Sequence, residues 1–390
     1  MCLYPRTMTN RKYTATDKNG GCVPSMPLIG KDENGYNLYD ERVKNVQIPC
    51  GRCSECLKQK ARNWQIRLAE EIPLTQYNYF ITLTFSPGQL QKLFNKTQLP
   101  ECNALMGIAI RRMLERWRKD HKKSIKHWFI TELGHENTER IHAHGILFSN
   151  EPLEFKEIEK KPNGILAEWK YWKYGNVFVG NWVNGQTINY LMKYVCKIDH
   201  DHKNFIGYVY TSPGIGKNWL EKMGSIYKYR PHNSLDYYRM PDGHKVKLPV
   251  YYKNHLYNDD ERELIWRDIM DKEEIIIKGN KYPSGMLDLP TEGNIRAKAQ
   301  EINQLLGYGN DSKEWMKEDY SITPAMVRKG QTEKDPEKAE KLRKHLEYLA
   351  NINKMKKIRK KKLKNLQKQN NITTFAGEND VKYDTYCDLS

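Results

Sequence analysis

Two histidines and one glutamate in residues 129–148 have the types and spacing of a metal site. His142 and His144 are separated by one residue and followed by an apolar run, and Glu132 precedes them. Successive side chains of a strand point to opposite faces, so His142 and His144 share one face. If two strands close symmetrically about Asn137, Glu132 lies directly opposite His142, with about 5 Å between the Cβ atoms. The pattern therefore predicts a hairpin on which one carboxylate and two imidazoles converge, although a strand histidine is also often half-buried without a ligand.

Two phenols and two amines recur at helical spacing further along the chain. Residues 186–197 contain neither proline nor glycine and are predicted to be helical. Tyr190 and Tyr194 then lie one turn apart, and Lys193 and Lys197 fall on nearly the same side of the helix. Taken alone, this stripe has a simpler interpretation, which is the solvated face of an amphipathic helix.

The cysteines predict a metal site of a different kind. The N-terminus shows no signal-peptide pattern, so we expect a reducing compartment and no disulfide framework. Cys50, Cys53 and Cys56 form a tight cluster at the start of a predicted helix. A structural zinc site takes four ligands, so one is missing locally. Cys2 and Cys22 are the candidates for the fourth ligand, and packed reduced thiols without a metal are the alternative.

The two motifs together resemble the HUH endonucleases, which nick single-stranded DNA and initiate rolling-circle replication. In that family a His-x-His strand with apolar flanks precedes a Tyr-x-x-x-Tyr helix, as here at His142, His144, Tyr190 and Tyr194. The order Tyr-x-x-Lys-Tyr-x-x-Lys, the N-terminal Met-Cys-Leu-Tyr-Pro and the cysteine segment resemble the replication initiators of microviruses, and most of all those of gokushovirus type. The resemblance covers roughly the first 220 residues.

This resemblance implies a fold and a site. The implied fold is α+β: an HUH endonuclease-like central antiparallel sheet flanked by helices, with an N-terminal cysteine leader and a basic helical C-terminal tail. The implied site holds Mg²⁺ or Mn²⁺ on Glu132, His142 and His144. The implied nucleophiles are Tyr190 and Tyr194, which form a 5′-phosphotyrosine link to DNA and leave a free 3′-hydroxyl.

The resemblance also implies supporting groups and partners. Lys193 and Lys197 would help to deprotonate the phenol or to neutralise the phosphate, with Lys193 favoured. Because the resembling proteins also begin with Met-Cys-Leu-Tyr-Pro, Cys2 is favoured over Cys22 as the fourth ligand of Zn²⁺. The expected partners are single-stranded DNA, the viral replication origin, and a host helicase and polymerase, in the host cytoplasm.

Composition supports a polyanionic partner. The chain of 390 residues has a net charge of +17 and a pI near 9.3, which indicates nucleic acid more than an acidic membrane surface. No apolar run approaches the length of a membrane span. The Gly-rich segment of residues 212–217 is too short for a Walker A loop, so strand separation would need a separate helicase.

Further DNA contacts are predicted on three elements. Thr82 and Thr84 share one face of a strand predicted at residues 79–85, where they contact DNA or support the metal ligands. Arg111 and Arg112 lie on an amphipathic helix predicted at residues 104–119, and Lys217 ends the Gly-rich segment. The respective structural alternatives are strand packing, a solvated charged face and a tight turn.

Two other segments have open interpretations. Residues 149–182 are predicted to hold one or two helices and an added strand, and their aromatic residues either stack on bases or belong to the core. These aromatic residues are Trp169, Tyr171, Trp172 and Tyr174. A second His-x-His motif within residues 199–202 lacks strand alternation and is interpreted as a solvated turn.

The sequence predicts four parts: an N-terminal arm with the cysteine cluster (1–60), an HUH nuclease domain (61–222), an accessory subdomain (223–330), and a basic helix with a disordered tail (331–390). The basic block at residues 354–364 would bind polyanions by counterion release. Two other functions stay open, a metal-dependent DNA hydrolase without a covalent intermediate and a non-enzymatic single-stranded-DNA-binding protein. A relaxase or transposase with HUH chemistry is a closer rival.

Overall fold

The computed structural model describes residues 2–97, 101–134, 139–199, 205–223, 236–271, 274–277, 280–283 and 295–309. The predicted basic helix and tail, and positions 200–202 of the second His-x-His motif, lie outside these residues. The described chain forms two compact units. Residues 2–59 and the described residues from 236 onward form the first unit, and the described residues between 60 and 223 form the second. The four-part division from the sequence remains a prediction about which segments fold alone.

The described strands are β1 (Arg6–Thr9), β2 (Leu28–Lys31), β3 (Asn37–Tyr39), β4 (Asn45–Ile48), β5 (Tyr77–Thr84), β6 (Lys126–Leu133), β7 (Ile141–Ser149), β8 (Lys156–Lys161), β9 (Gly164–Glu168), β10 (Val177–Gly180), β11 (Val209–Thr211), β12 (Tyr237–Arg239), β13 (Lys245–Lys247), β14 (Glu274–Ile277) and β15 (Asn280–Pro283). The described helices are α1 (Ser54–Glu71), α2 (Pro87–Thr97), α3 (Cys102–His121), α4 (Gly185–Cys196), α5 (Asn218–Met223), α6 (Val250–Leu256), α7 (Asp259–Asp271) and α8 (Ile295–Leu305). Strand β5 and helix α3 confirm the elements predicted at residues 79–85 and 104–119. None of the described helices is both long and apolar enough to cross a membrane.

A seven-stranded sheet forms the centre of the second unit. Its strand order is β11-β6-β7-β5-β10-β9-β8, and every neighbouring pair runs antiparallel. The edge strand β8 is exposed along its whole length and consists mainly of lysine and glutamate, which discourages pairing with another chain. The central antiparallel sheet with flanking helices that the sequence predicted is therefore present.

Helix α3 covers one face of this sheet. Leu105 and Met113 of α3 lie in one apolar cluster with Ile81 and Leu83 of β5 and with Phe129 of β6. These strand residues have odd numbers, and strand side chains alternate between faces. The odd-numbered residues of the central strands therefore form the face that α3 buries.

Helix α4 covers the opposite face. Leu191 and Val195 of α4 pack in a second cluster with Phe80, Trp128 and Ile146, which are even-numbered residues of β5, β6 and β7. We call this side of the sheet the site face, because alternation places all of the predicted metal ligands on it. Its other even-numbered residues are Thr82, Glu132, His142 and His144.

The segment between β7 and α4 differs from its prediction. Residues 149–182 form strands β8, β9 and β10 and contain no helix. The four aromatic residues of this segment, Trp169, Tyr171, Trp172 and Tyr174, are all buried in the cluster that α3 covers. Trp172 also donates from Nε1 to the backbone oxygen of Thr84 at 2.7 Å. These residues are core, and the base-stacking alternative is wrong because no ring face is left for a base.

The first unit is held by short ladders and one buried carboxylate. Strand β1 pairs with β4, β2 with β3, β12 with β13 and β14 with β15, all antiparallel. Asp40 is buried and accepts hydrogen bonds from the guanidinium groups of Arg42 and Arg267. The hydrogen bond from Arg42 is the largest of the influences that together lower the pKa of Asp40.

Candidate functional site

The hairpin of β6 and β7 sets the spacing of the predicted metal ligands. Glu132 pairs directly with His142 across the ladder, which confirms the register predicted from symmetric closure. Strand β5 pairs with the other edge of β7 and places Thr82 opposite His144. All four side chains therefore project from the site face within two neighbouring rows of the sheet.

His144 is held through both of its ring nitrogens. Its Nε2 lies 2.9 Å from Glu132 Oε2, and its Nδ1 lies 2.9 Å from Thr82 Oγ1. Burial opposes the ionisation of Glu132, but the hydrogen bond and charge of His144 and those of Lys197 lower the pKa of Glu132 to about 2. Since Glu132 is a carboxylate, it accepts from Nε2–H, and the Thr82 hydroxyl donates to Nδ1. Glu132 is thus in the charge state that a cation needs.

His142 belongs to the same face but stands apart. Its ring centroid lies 6.3 Å from that of His144, with 21° between the ring planes. Burial, followed by the charge of His144, lowers the pKa of His142 to about 4, so the imidazole is neutral at pH 7. One carboxylate and two neutral imidazoles suit a divalent cation chemically. Within the described ranges, however, only a group of cysteines brings three or more ligand atoms within 4.8 Å of one another, so His142 is the ligand that has to reorient.

Helix α4 is started by a side-chain cap and orients two tyrosines. The Asn184 side chain accepts from the Thr187 N–H, and Thr187 Oγ1 accepts from the Asn184 N–H at 3.2 Å, which is a capping box. Leu191 and Val195 are buried against the site face. Their burial fixes the rotation of the helix and directs Tyr194 toward the histidines.

The two tyrosines have different surroundings. The ring of Tyr194 stacks on that of His144 with 4.3 Å between centroids and 9° between planes. Burial, then the charge of Tyr190, raises the pKa of Tyr194 well above the ordinary value. Tyr190 is 42 % exposed and packs edge-on against Phe80, and its phenol oxygen is hydrogen-bonded to that of Tyr194. One phenol therefore faces the histidine, while the other is open to solvent.

The two lysines of the predicted stripe take different positions. Helix α4 ends at Cys196, and Lys197 follows with an extended backbone (φ −62°, ψ 131°), so the predicted helix was one residue too long. The Lys197 ammonium forms an ion pair with Glu132. Lys193 remains on the helix, with Nζ 5.9 Å from the ring centroid of Tyr190. The structure thus brings Lys197 to the carboxylate and Lys193 to the exposed tyrosine.

Three of the other predicted DNA contacts have different neighbours. The Thr84 hydroxyl donates to the backbone oxygen of Asn176 at 2.7 Å, so it braces β10. Arg111 and Arg112 lie on α3, which covers the face opposite the site face. The fold therefore does not bring these arginines to the histidines and tyrosines.

The Gly-rich segment is anchored inside the second unit. The Gly216 N–H donates to Glu71 Oε2 at 2.7 Å, and Lys126 Nζ lies 2.6 Å from the other carboxylate oxygen. Gly216 has a φ of 75°, which favours glycine. Lys217 pairs with Glu221 at 3.2 Å. The segment is a turn whose Gly216 amide is satisfied by a carboxylate, which favours the structural alternative for this loop.

Sequence reasoning missed two neighbours of the tyrosine helix. Phe80 contacts Tyr190, and its ring centroid lies 6.5 Å from that of His144 with 13° between planes. Gln65 Nε2 of α1 donates to Asn189 Oδ1 of α4 at 2.9 Å. Strand alternation could have identified Phe80, which lies two residues before Thr82, whereas Gln65 carries no local signal.

The predicted cysteine cluster is present in the first unit. Cys2, Cys50, Cys53 and Cys56 have their Sγ atoms within 4.8 Å of one another. Cys22 is exposed and is not a member of this group. The fourth thiol is therefore Cys2, as the N-terminal resemblance predicted.

Comparison with known proteins agrees with this geometry. A family model for replication-associated proteins of the ORF2 type matches residues 78–199, which run from β5 to just beyond the end of α4. Replication-associated protein VP4 of Bdellovibrio phage phiMH2K is 25 % identical over 226 residues, 55 % of this chain and 69 % of the relative. Replication-associated protein ORF2 of Spiroplasma virus 4 is 24 % identical over 295 residues, 71 % of this chain and 87 % of the relative.

A further relative, replication-associated protein ORF4 of Chlamydia phage 1, is 26 % identical over 179 residues, 43 % of this chain and 41 % of the relative. No solved structure matches the chain. The family match therefore covers the whole hairpin and the tyrosine helix, and the relatives extend the similarity beyond them. Together these matches fit a microvirus-type replication initiator of the ORF2 family of replication-associated proteins, as the motifs predicted.

Proposed function

We propose that this chain initiates the rolling-circle replication of a viral genome as a two-tyrosine HUH endonuclease and ligase for single-stranded DNA. The observation that carries the proposal is the stacking of Tyr194 on His144, while Glu132 bonds to the same histidine. A hydrolase without a covalent intermediate has no use for a phenol at this place. The names of the relatives, all replication-associated proteins of phages, support a role in viral replication.

In the proposed reaction, a phenol oxygen of Tyr190 or Tyr194 attacks the scissile phosphorus after losing its proton. The new bond joins that oxygen to phosphorus, the bond from phosphorus to the 3′-oxygen breaks, and the 3′-oxygen takes up a proton as it leaves. The link keeps the energy of the phosphodiester, so a 3′-hydroxyl can attack it later and rejoin the strand. Two phenols one helical turn apart allow one to hold a DNA end while the other cuts again.

The chain supplies charge on both sides of the phosphate. A phenol with an ordinary pKa of about 10 is mostly protonated at neutral pH. The Lys193 ammonium, 5.9 Å from the Tyr190 ring centroid, favours the phenolate of that residue. Lys197, which pairs with Glu132, lies beside the metal ligands and can neutralise a phosphate oxygen there.

We further propose that Glu132, His142 and His144 hold one Mg²⁺ or Mn²⁺ ion. Such an ion polarises the scissile phosphate as a Lewis acid. The role of the chain is to keep Glu132 ionised and His142 neutral, and to fix the ring of His144 between Glu132 and Thr82.

The test is the formation of a covalent protein–DNA adduct. Full-length protein is incubated with single-stranded DNA carrying the cognate origin, with Mn²⁺ or with EDTA, and is run on a denaturing gel. We expect a metal-dependent adduct in the wild type, its loss in the double variant Tyr190→Phe/Tyr194→Phe, and its loss in His142→Ala. Tyr36→Phe, which changes a tyrosine that is 72 % exposed in the first unit, is the control. The single tyrosine variants identify the phenol that nicks first.

Two outcomes would replace the proposal. Metal-dependent cleavage without an adduct would make the chain a hydrolase, and binding of the correct origin without cleavage would leave a DNA-binding protein. Cooperation with a host helicase and polymerase, and action in the host cytoplasm, belong to the same proposal. Addition of a helicase and a polymerase to the nicked origin tests whether the free 3′-hydroxyl is extended.

A further inference from the structure

Four thiols from distant segments meet in the first unit. Cys50, Cys53 and Cys56 precede or begin α1, and Cys2 comes from the start of the chain. The Sγ atoms of Cys50 and Cys56 are 3.9 Å apart, and those of Cys53 and Cys2 are 4.0 Å apart. Four sulfurs at about 2.3 Å from a tetrahedral zinc ion lie about 3.8 Å from one another. The observed separations therefore match four thiolates around a single ion.

These separations exclude bonded sulfurs. A disulfide has sulfur atoms about 2.05 Å apart, and all four cysteines are free. Packing of neutral thiols alone does not require four sulfurs to converge within 4.8 Å of one another. Convergence of four such ligands is the arrangement of a closed structural metal site.

Backbone amides are arranged to stabilise negative sulfur. The N–H of Cys50 donates to Cys2 Sγ at 3.2 Å, and the N–H groups of Arg52 and Cys53 donate to Cys50 Sγ at 3.5 Å and 3.4 Å. Gly51 has a φ of 79°, which is the backbone conformation that turns the chain back so that both amides face Cys50. Hydrogen bonds from N–H groups to an ionised acceptor are stronger than those to a neutral one. The loop is therefore built for thiolates.

We propose that Cys2, Cys50, Cys53 and Cys56 bind one structural Zn²⁺ ion that clamps the start of the chain to the start of α1. The four thiols release their protons to solvent as the ion binds. Zinc is the usual occupant of a closed four-cysteine site, although the same sulfur geometry accepts iron. This proposal does not rest on the nuclease proposal, because none of its residues belongs to the site face.

The clamp explains how a small core can hold helix α8. Leu3 lies at the centre of an apolar cluster with Cys53 and Ala299 of α8. Gln300 Nε2 donates to the backbone oxygen of Leu3 at 2.7 Å, and Asn303 Oδ1 accepts from the N–H of Ser54 at 2.9 Å. A cluster this small stabilises little by itself, and small cores commonly depend on a metal. The ion would therefore contribute folding free energy to the first unit.

The test is metal content together with stability, measured on the full-length protein purified without chelator. We expect about one zinc ion per chain in the wild type and in Cys22→Ser, which changes an exposed cysteine outside the cluster. We expect Cys2→Ser to lose most of this zinc. Removal of zinc from the wild type should lower the unfolding temperature of the first unit and increase amide exchange in α8, and adding zinc back should reverse both.

Cobalt substitution provides a measurement that does not depend on a variant that folds. Co²⁺ bound by four thiolates in a tetrahedron gives intense visible bands, which addition of zinc should abolish. Absence of zinc from the wild type, full zinc in Cys2→Ser, or iron in place of zinc would each overturn the proposal. DNA nicking is not part of this test, so its outcome is separate from that of the nuclease proposal.

Discussion

Replacing Thr82 with valine tests whether His144 is held in the orientation of a metal ligand. Thr82 Oγ1 lies 2.9 Å from Nδ1 of His144, and Glu132 Oε2 lies 2.9 Å from Nε2. A hydroxyl both donates and accepts. It can therefore donate to Nδ1 while Nε2 carries the ring proton, and accept from Nδ1–H when Nε2 is given to a cation. Valine keeps the branched shape and the strand propensity but loses both of these bonds.

The expected effect is a loss of metal affinity. Removal of a hydrogen bond that orients a metal-bound histidine costs about 10–100-fold in metal affinity or activity, which is about 1.4–2.7 kcal/mol. Thr82 is only 9 % exposed, so water has little access to replace the hydroxyl. We expect the Mn²⁺ dissociation constant of Thr82→Val to rise within this range, and that of Thr82→Ser to stay close to the wild-type value.

Mn²⁺ binding is measured by the loss of the free-ion electron paramagnetic resonance signal, without DNA. The Mn²⁺ dependence of origin nicking provides a second measurement. Thr84→Val is the matched control, since it removes a hydroxyl from the same face of β5 that donates to the backbone of Asn176 instead of to a histidine. Unchanged Mn²⁺ affinity in Thr82→Val would refute the reasoning. An equal loss in Thr84→Val would assign the effect to the strand and not to the bond with His144.

Three further predictions concern stability, each measured by urea unfolding. Gly145→Ala should cost on the order of 3 kcal/mol because a Cβ would overlap backbone and ring atoms of β6, whereas Gly88→Ala, at an open position, should change the unfolding free energy little; equal effects would contradict the packing argument. Glu71→Gln should cost about 1–3 kcal/mol by weakening the bonds of this fully buried carboxylate to Lys126 and the Gly-rich loop; no loss would show that the anchor is dispensable. Burial is the main cause that lowers the pKa of His127, so the unfolded chain binds this proton more readily and stability should fall as the pH drops below about 6.5; His127→Gln should flatten that fall, and an identical slope would exclude this residue as its source.

Much of the site could be predicted from sequence because it is local. Glu132 and His142 meet through one short hairpin, and two periodicities, alternation in the strand and 3.6 residues per turn in the helix, decide which side chains share a face. Tyr190 and Tyr194 were placed on one stripe by the same rule. The end of α4 was misplaced by one residue, and only that difference frees Lys197 to reach Glu132.

Other parts could not be predicted because they depend on which layers pack together. The charges of Arg111 and Arg112 suit DNA, but α3 buries the face of the sheet opposite the histidines. Trp169 and Trp172 have the composition of a stacking surface, yet they fill the core beneath α3. A side-chain type does not state whether its neighbour is solvent, a ligand or another layer.

The sequence by itself determined the fold class, the register of the metal hairpin, the tyrosine stripe and three of the four clustered cysteines, because each follows from residues close together along the chain. Only the tertiary structure decided that α4 covers the face with His144, that Thr82 holds this histidine, and that Cys2 joins the other thiols. The physical reason is that these contacts join segments far apart in sequence. Their pairing depends on how complete apolar faces fit together, and no local pattern of residues encodes that fit.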